Sequence, residues 1–488
     1  MQRLTTTILV WLSAVAAHAA TPTITASTPT FNKDIAPILY HNCATCHRPG
    51  QVAPFSLLTY QDAGKRADLI ATITEKRVMP PWKPEPGYGV FANERRLSDQ
   101  QIAMIRAWAK AGAPEGDARD KPAVPAFADS WEGRAPDKVL TMSHAYEVAA
   151  DGPDQYRCFV MPLGVDHDVY LSGLEFRPGN RRVVHHALVF ADATGTARRL
   201  AAGSPDGGYT CFGGPKFPPA GLMGGWAPGA SPPPESPALS QLIRQGTDIV
   251  VQIHYHPSGK TEKDQSSLGL RFSGPPTEGR AGIILSSHRI DIPAGAAHYV
   301  VKTGVDLPRA VDIFGITPHA HYLGKEMKVT ATLPGGAVMP LIWIKDWDFN
   351  WQGQYRYKDP VHLPKGTHIA LEYTYDNSDE NPRNPSHPPV RVTWGEETRN
   401  EMAVLFLGVV LPSPDDVPEF RREMRREYIR SFITEGNGVA DLPPGIPAFE
   451  RQLFTRVFQM FDKDGDGKLD AGEQAALLDY LNRLDSKH

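Results

Sequence analysis

DIVVQIHYH, residues 248–256, is the clearest β-strand pattern in the chain, and it has His254 near its end. A run of Ile and Val without Gly or Pro is typical of a strand. Comparable stretches, such as Val169–Phe176, recur as far as about Val410, and Gly- and Pro-rich breaks at 217–237 and 376–389 separate them. This pattern predicts an all-β architecture for the middle of the chain.

A second histidine motif lies in ITPHAHYL at 316–323, and a methionine follows at Met402. His319 and His321 are two residues apart, and on a strand this spacing points both rings to the same face, where they can share one ion. Neutral imidazole binds copper, zinc, iron and nickel, whereas a thioether adds affinity chiefly for copper. Met402 therefore narrows the expected metal to copper.

The third motif is the adjacent pair His185 and His186, directly before the hydrophobic run ALVF at 187–190. Neighbours on a regular strand point to opposite faces, so a shared ion requires a strand end, a β-bulge or binding through unlike ring nitrogens. All three routes remain open. His254 would have to complete this site from another part of the chain.

The order and kind of these motifs resemble the copper type II, ascorbate-dependent monooxygenase family, which includes peptidylglycine α-hydroxylating monooxygenase and dopamine β-monooxygenase. Four features match: the His-His pair, the Gln-x-His-Tyr strand, the His-x-His-x-Leu-Gly-Lys stretch and the Glu-Met pair. The resemblance covers roughly residues 145–410. It implies two β-sandwiches that meet near Gly274 and hold one copper ion each, on either side of a solvent-filled cleft.

The resemblance also implies a role for each residue. In the family, the Met-ligated copper binds and activates O2, while the His-only copper stores and delivers the second electron. The implied ligands are His185, His186 and His254 for the electron-storing copper, and His319, His321 and Met402 for the oxygen-binding copper. The expected catalytic residues are the three ligands of the oxygen site together with Gln252, which would order the cleft between the metals.

The resemblance does not extend to the substrate. In the amidating enzyme, an Arg two residues before the first His of His-x-His and a Tyr four residues after the Met would grip the substrate carboxylate. Here those positions are Thr317 and Phe406. A peptidylglycine substrate is therefore not expected, and the sequence predicts only a small organic molecule with a C–H bond to hydroxylate.

CATCH at 43–47 is the pattern of covalent haem attachment, with Cys43 and Cys46 forming thioethers and His47 as proximal ligand. A redox C-x-x-C and half of a zinc site are the alternatives, but neither requires the adjacent histidine, and the sequence has no second C-x-x-C. Residues 31–117 resemble a small cytochrome c domain. Met79 is the expected distal ligand, because Met with His is a usual electron-transfer pair.

Near the C-terminus, DKDGDGKLDAGE at 462–473 matches the EF-hand calcium loop, with Gly467 at the sharp turn. The expected calcium ligands are Asp462, Asp464, Asp466, Lys468, Asp470 and Glu473. The two remaining cysteines, Cys158 and Cys211, predict a disulfide, and two free buried thiols are the alternative.

Residues 1–19 predict a secretory signal peptide, with Arg3 before a short apolar run and Ala17-His18-Ala19 as the cleavage site. That run is too short to span a bilayer, and no later segment is long enough. We therefore expect an exported protein, periplasmic or secreted, without a membrane span. With Lys+Arg 51 and Asp+Glu 55, the net charge of -4 gives no reason to expect nucleic-acid or anionic-membrane binding.

A length of 488 residues predicts several domains. The expected division is a signal peptide at 1–19, an α-helical cytochrome c domain at 31–117, a linker at 118–140, two antiparallel β-sandwiches at 141–275 and 276–411, and a short α-helical EF-hand tail at 412–488.

The expected function is that of a copper-dependent monooxygenase with two copper ions, haem c and calcium as cofactors. Its partners would be O2, a small-molecule substrate and an external electron donor, either an ascorbate-like reductant or another cytochrome. A non-enzymatic copper and haem relay or sensor is the first alternative. A zinc hydrolase built on three histidines is the second, against which Met402 argues.

Overall fold

The structure is a computed structural model that describes residues 28–51, 53–126, 131–212, 214–217, 222–227, 232–395, 397–434 and 448–485. Antiparallel β-sheet is its predominant regular structure, and the longer helices lie towards the two ends of the chain. This architecture is consistent with β-sandwich domains. The predicted signal peptide at 1–19 lies outside the described residues.

The N-terminal segment is helical and begins with a π-helical turn at Phe31–Ile35. Its α-helices are α1 (Ala36–Asn42), α2 (Tyr60–Gly64), α3 (Ala67–Glu75) and α4 (Asp99–Lys110). Ser98 caps the start of α4: its hydroxyl accepts from the Gln101 N–H at 3.2 Å, and the Gln101 side chain accepts from the Ser98 N–H at 2.9 Å. Ile105 and Trp108 point from α4 into a fully buried core.

The described residues of the first β unit include the α-helix α5 (Thr196–Ala201) and a short 3-10 helix at Pro237–Leu239. The strands are β1 (Lys138–Thr141), β2 (Tyr146–Val148), β3 (Gln155–Pro162), β4 (Val169–Arg177), β5 (Val184–Asp192), β6 (Gly208–Thr210), β7 (Leu222–Trp226), β8 (Gln241–Ile243), β9 (Asp248–Tyr255), β10 (Glu262–Asp264) and β11 (Ser267–Ser273). A five-stranded sheet has the order β6-β3-β9-β5-β7, a four-stranded sheet the order β1-β11-β4-β8, and β10 pairs with β2.

Strand β9 is the centre of the five-stranded sheet, where it pairs with β3 on one side and β5 on the other. All its residues are buried, which explains why its sequence is a nearly continuous apolar run. Cys158 of β3 is bonded to Cys211, with their Cα atoms 5.7 Å apart, so the predicted disulfide is confirmed.

The second β unit follows directly. Its strands are β12 (Gly279–Ser287), β13 (Asp291–Ile292), β14 (Tyr299–Asp306), β15 (Val311–His319), β16 (Gly324–Thr332), β17 (Val338–Ile344), β18 (Tyr355–Leu363), β19 (His368–Tyr375), β20 (Val392–Thr393) and β21 (Ala403–Leu411). Two four-stranded sheets, β12-β21-β15-β18 and β14-β19-β16-β17, enclose one apolar core, and β13 pairs with β20.

The segment between α3 and α4 packs on this second unit. Phe91 lies in the core of the second unit and bridges to Tyr357, and the ring of Trp82 meets that of Tyr355 edge-on at 5.5 Å. The Glu85 N–H donates to the Trp343 carbonyl at 2.7 Å. The segment between α3 and α4, which lies within the predicted cytochrome region, therefore contacts the second β unit directly. The sequence pattern did not indicate these contacts.

The last part of the predicted linker at 118–140 packs with the first β unit. Strand β1 begins at Lys138, and the Arg134 carbonyl accepts from the Arg271 guanidinium at 2.6 Å. Trp131 covers Gly269 of β11, where a Cβ would meet the indole ring at 2.7 Å. Because Gly269 has no side chain, the Trp131 indole can lie against β11. Residues from Trp131 onwards therefore belong to the first β unit.

The C-terminal segment contains α6 (Asp416–Thr434), α7 (Ala448–Phe461) and α8 (Ala471–Asp485). Phe420 and Met424, in the first half of α6, complete the core of the second β unit, whereas Ile429 and Ile433, in its second half, pack with Phe458 of α7. Within the described residues no helix is both long and apolar enough to cross a membrane.

Candidate functional site

The adjacent histidines and His254 form one cluster, the first centre. In the pairing of β5 with β9, Val184 lies opposite Tyr255 and His186 lies opposite His254. His185 is therefore an extra residue that forms a β-bulge, and the bulge allows the rings of His185 and His186 both to face β9. Their Nδ1 atoms are 3.1 Å (His185 to His254), 3.2 Å (His185 to His186) and 3.3 Å (His186 to His254) apart. Of the three routes that the sequence left open, the structure shows the bulge.

The spacing of these three nitrogens suits a metal ion. A point equidistant from them lies about 1.9 Å from each, close to the metal–imidazole bond length of roughly 2.0 Å. Three imidazole nitrogens that converge in this way bring lone pairs together, which is favourable when a cation lies among them.

Asp154 fixes the orientation of His254. The Nε2 of His254 donates to the Asp154 carboxylate at 2.7 Å, which leaves its Nδ1 as the lone-pair nitrogen that faces the other two histidines. The same carboxylate accepts from His256 at 2.8 Å, and the ring of Tyr156 stacks on His254 with centroids 4.3 Å apart. Sequence reasoning missed Asp154 because it precedes His254 by 100 residues.

Burial favours the neutral form of His185 and His186, as metal ligation requires. It lowers the pKa of His185 to about 4, with a further contribution from the nearby His254, and it lowers the pKa of His186 well below its usual range. Although burial alone would raise the pKa of Asp154, its hydrogen bonds and charge interactions with His254 and His256 lower that pKa to about 2. The aspartate is therefore ionised at neutral pH.

His319, His321 and Met402 occupy the end of the β15–β21 pair, the second centre. The antiparallel register matches His319, the last residue of β15, with Val404, and the N–H groups of His321 and Met402 just beyond these strand ends bond the same Glu401 oxygen. The rings of His319 and His321 are 5.2 Å apart between centroids. The structure therefore brings the two histidines and the methionine to one strand end.

Hydrogen bonds at Nδ1 orient the two rings of the second centre. His319 donates to the Gln352 side chain at 2.6 Å, and His321 donates to the Asn400 carbonyl at 2.9 Å. In both rings Nε2 is left as the lone-pair nitrogen. Burial lowers the pKa of His321 to about 4, helped by His319, so this pair is also neutral near pH 7.

Glu401 joins the two strands of the second centre. Its carboxylate is fully buried and accepts from the backbone N–H groups of His321 at 2.8 Å, Leu323 at 2.6 Å and Met402 at 3.1 Å. Burial raises its pKa to about 8, against the opposing effect of these N–H groups. The sequence showed Glu401 only as the neighbour of Met402, and nothing in the pattern indicated this contact.

The two centres face each other across the boundary of the β units. A cavity of about 90 Å³ is lined by His185 and His254 from the first unit and by Tyr322 and Phe349 from the second. The ring of Phe349 also meets that of His321 in the second centre edge-on, with centroids 5.6 Å apart. The centres therefore share one interface.

Comparison with known proteins supports the resemblance seen in the sequence. DBH-like monooxygenase protein 1 of Gallus gallus is 23% identical over 287 residues, which cover 53% of this chain and 44% of that protein. The Homo sapiens protein of the same name is 23% identical over 360 residues, covering 64% of this chain and 55% of that protein. This weak homology supports the copper monooxygenase family. The chain spans about half the length of these relatives.

Other comparisons add little. No protein-family model matches the chain. A solved structure, the VP2 subviral particle of infectious bursal disease virus, has 10% sequence identity over 60% of this chain and 76% of its own, with a TM-score of 0.18. So low a score carries no argument about the fold.

Gln252 lies on the same face of β9 as His254 but makes a different contact. Its amide donates to the Cys211 carbonyl at 2.6 Å, and the side chain is buried. The disulfide segment is thereby tied to the strand that holds His254. The expected ordering role between the metals remains a prediction, and the contact seen is with the disulfide.

Covalent haem attachment at the CATCH motif remains a prediction, and one contact is compatible with it. The Nδ1 of His47 donates to the Phe55 carbonyl at 3.1 Å, which leaves Nε2 free for an iron ion. Burial, with the neighbouring Cys46, raises the pKa of the Cys43 thiol to about 12, which disfavours the thiolate that a redox C-x-x-C requires. Met79 is half-buried beyond α3, and its assignment as distal ligand remains a prediction.

The acidic loop joins α7 to α8. Asp462, Asp464 and Glu473 each offer an oxygen atom within 4.8 Å of the others, a spacing that could hold one cation. Asp462 accepts from the Gly465 N–H at 2.7 Å, which draws the loop into a turn. Calcium binding by the expected set of ligands, including Asp466, Lys468 and Asp470, remains a prediction.

Proposed function

We propose that this chain is a copper-dependent monooxygenase that inserts one atom of O2 into a C–H bond of a small organic substrate. The other oxygen atom leaves as water, so each turnover takes two electrons and two protons from outside. The observation that supports this most strongly is a pair of centres at the interface of the two β units, one with three histidines and one with His319, His321 and Met402 at neighbouring strand ends. A non-enzymatic relay or sensor has no evident need for both a three-histidine centre and a centre that contains a methionine.

The residues of the chain divide this work. Copper ions bound at the two centres would supply one-electron redox chemistry and activation of O2. His185, His186 and His254 would hold the ion that stores an electron. His319 and His321 would hold the other ion with Met402, whose thioether favours Cu(I) and so suits the site that meets O2.

The surface beside the second centre suggests the character of the substrate. Two rows of residues cross three strands there. One row is Ser286, Val404 and His319, and the other is Ile284, Phe406 and Thr317. None of the six is charged, while Ile284 and Phe406 are 51% and 38% exposed. We infer that the substrate presents an uncharged, apolar part to this surface.

We propose that electrons enter through a haem on Cys43 and Cys46, with His47 and Met79 as axial ligands, supplied by an external reductant. The hydrogen bond that orients His47 supports this. Met79→Ala should change the reduced spectrum and the redox potential. An unchanged potential would leave Met79 as a packing residue.

Calcium at Asp462–Glu473 would have a structural effect, because the loop is far along the chain from both centres. Glu473→Gln should weaken calcium binding and leave hydroxylation unchanged at fixed copper loading. We also propose that the protein works in the periplasm or outside the cell, which its disulfide supports.

Purified protein should contain two copper ions and, with labelled dioxygen and a reductant, should yield a labelled alcohol from an apolar substrate. Copper without labelled product across a C–H substrate screen would favour the relay or sensor. Zinc in place of copper would favour the hydrolase. Phe406→Ser should raise KM for an apolar substrate with little change in kcat, because it removes binding surface rather than a ligand.

A further inference from the structure

Two of the three predicted ligands of the second centre, His321 and Met402, have their backbone N–H groups bonded to the same side chain, Glu401. The Oε2 atom of Glu401 accepts from His321 at 2.8 Å and from Met402 at 3.1 Å. Its Oε1 atom accepts from Leu323 at 2.6 Å. One carboxylate thus links the turn that follows His319 to the start of β21.

The carbonyl groups of the same two peptides are also fixed. The hydroxyl of Tyr375 donates to the Met402 carbonyl at 2.6 Å, and the indole N–H of Trp347 donates to the His321 carbonyl at 3.1 Å. Tyr375 and Trp347 are both fully buried aromatic residues. His321 and Met402 are therefore the ends of a rigid buried network in which Glu401 is the shared member.

A carboxylate is the side chain that fits this position. Both oxygens of a carboxyl group can accept hydrogen bonds, whereas a glutamine of the same size offers one acceptor and an NH2 group. In Glu401→Gln, an NH2 group would face at least one backbone N–H, and that donor would lose its partner in a fully buried place. The backbone of Glu401 is also held, because it bridges Trp394 and its N–H donates to the Thr393 carbonyl at 3.1 Å.

We propose that Glu401 is a positioning residue that sets the separation between His321 and the Met402 thioether at the second centre. This rests on the proposed function, in which these two residues ligate the same copper ion. Without the link, the turn at His321 and the start of β21 can move independently, and the thioether loses its fixed approach to the metal. Losses of roughly ten- to a hundredfold in metal affinity are typical when such supporting contacts are removed.

The test is Glu401→Gln, with Glu175→Gln as matched control. Glu175 is also a buried carboxylate, 5% exposed, but it pairs with Arg271 on the first β unit. Reduced protein is titrated with Cu(I) against a competing chelator, and X-ray absorption reports whether sulfur is bound to copper. Glu401→Gln should weaken one of two copper sites about ten- to a hundredfold and diminish the copper–sulfur signal. Glu175→Gln should leave both unchanged.

Equal affinity and an unaltered copper–sulfur signal in Glu401→Gln would overturn the proposal. Should that variant not fold, Tyr375→Phe removes one hydrogen bond from the Met402 carbonyl. It should weaken the same signal by a smaller factor, and an unchanged signal would again contradict the proposal. A wild-type protein that binds no second copper, or shows no copper–sulfur signal at all, would instead refute the proposed function.

Discussion

The two centres are built in opposite ways. The first takes three Nδ1 atoms from two paired strands inside one sheet, and a side-chain carboxylate, Asp154, orients one of its rings. The second presents Nε2 atoms from a strand end, and its ligands are held through their backbone by Glu401. The difference suggests a symmetric, rigid site for storing an electron and a site with a thioether for chemistry. It also means that the two can be disabled separately.

The largest expected effect is on the first centre. His254→Ala removes one of three converging nitrogens, so the protein should bind one copper ion instead of two and should not deliver the second electron. Copper analysis and single-turnover kinetics measure this. His256→Ala is the control, because His256 shares Asp154 but points outward with a 69% exposed side chain. If His254→Ala retains both copper ions, the first centre is assigned incorrectly.

A smaller effect should follow from removing the disulfide, which supports the first centre only. Cys158 and Cys211 are 53 residues apart, and closing such a loop stabilises by about 4 kcal/mol through the entropy of the unfolded chain. The double variant to alanine should lower the free energy of unfolding by up to that amount, measured by denaturant titration. Because Gln252 links Cys211 to β9, copper should be lost from the first centre before the second. Equal loss from both would contradict this.

The smallest expected effect concerns how the free energy of unfolding depends on pH through His288. Burial against Trp394 lowers the pKa of His288 to about 4. In the unfolded chain this histidine takes up a proton near pH 6.5, whereas in the folded protein it stays neutral until the pH approaches 4. This contribution to stability is complete above pH 6.5 and is lost as the pH falls towards 4. In metal-free protein, His288→Gln should flatten the dependence of the unfolding free energy on pH in that window.

His298→Gln is the control, because His298 is exposed. Its free energy of unfolding should depend on pH as that of the wild type does. If both variants keep that slope, the proton uptake on unfolding comes from groups other than His288.

The sequence predicted the parts of the site that follow strand periodicity. The i, i+2 spacing of His319 and His321 and the apolar run before His254 have consequences that any β-strand imposes. The disulfide was predicted because only two cysteines remained. By contrast, the bulge at His185 could not be chosen among three alternatives, because it depends on how β5 meets β9.

Other features depend on tertiary contacts that no local pattern shows. Asp154 and Gln352 orient rings from distant parts of the chain. Phe91 lies in a region that resembles a cytochrome, yet it packs into the core of the second β unit. The predicted linker ended too late because Trp131 packs on Gly269 through side-chain contact rather than through a strand pattern.

The most direct measurement is labelled-dioxygen incorporation by Met402→His beside the wild type, with copper content and haem-to-copper electron transfer recorded on the same samples. The wild type should form labelled alcohol. Met402→His should keep two copper ions, since imidazole is a competent ligand, and should keep electron transfer to the first centre, but it should form no labelled product. Wild-type turnover in Met402→His would contradict the assignment of O2 chemistry to His319, His321 and Met402.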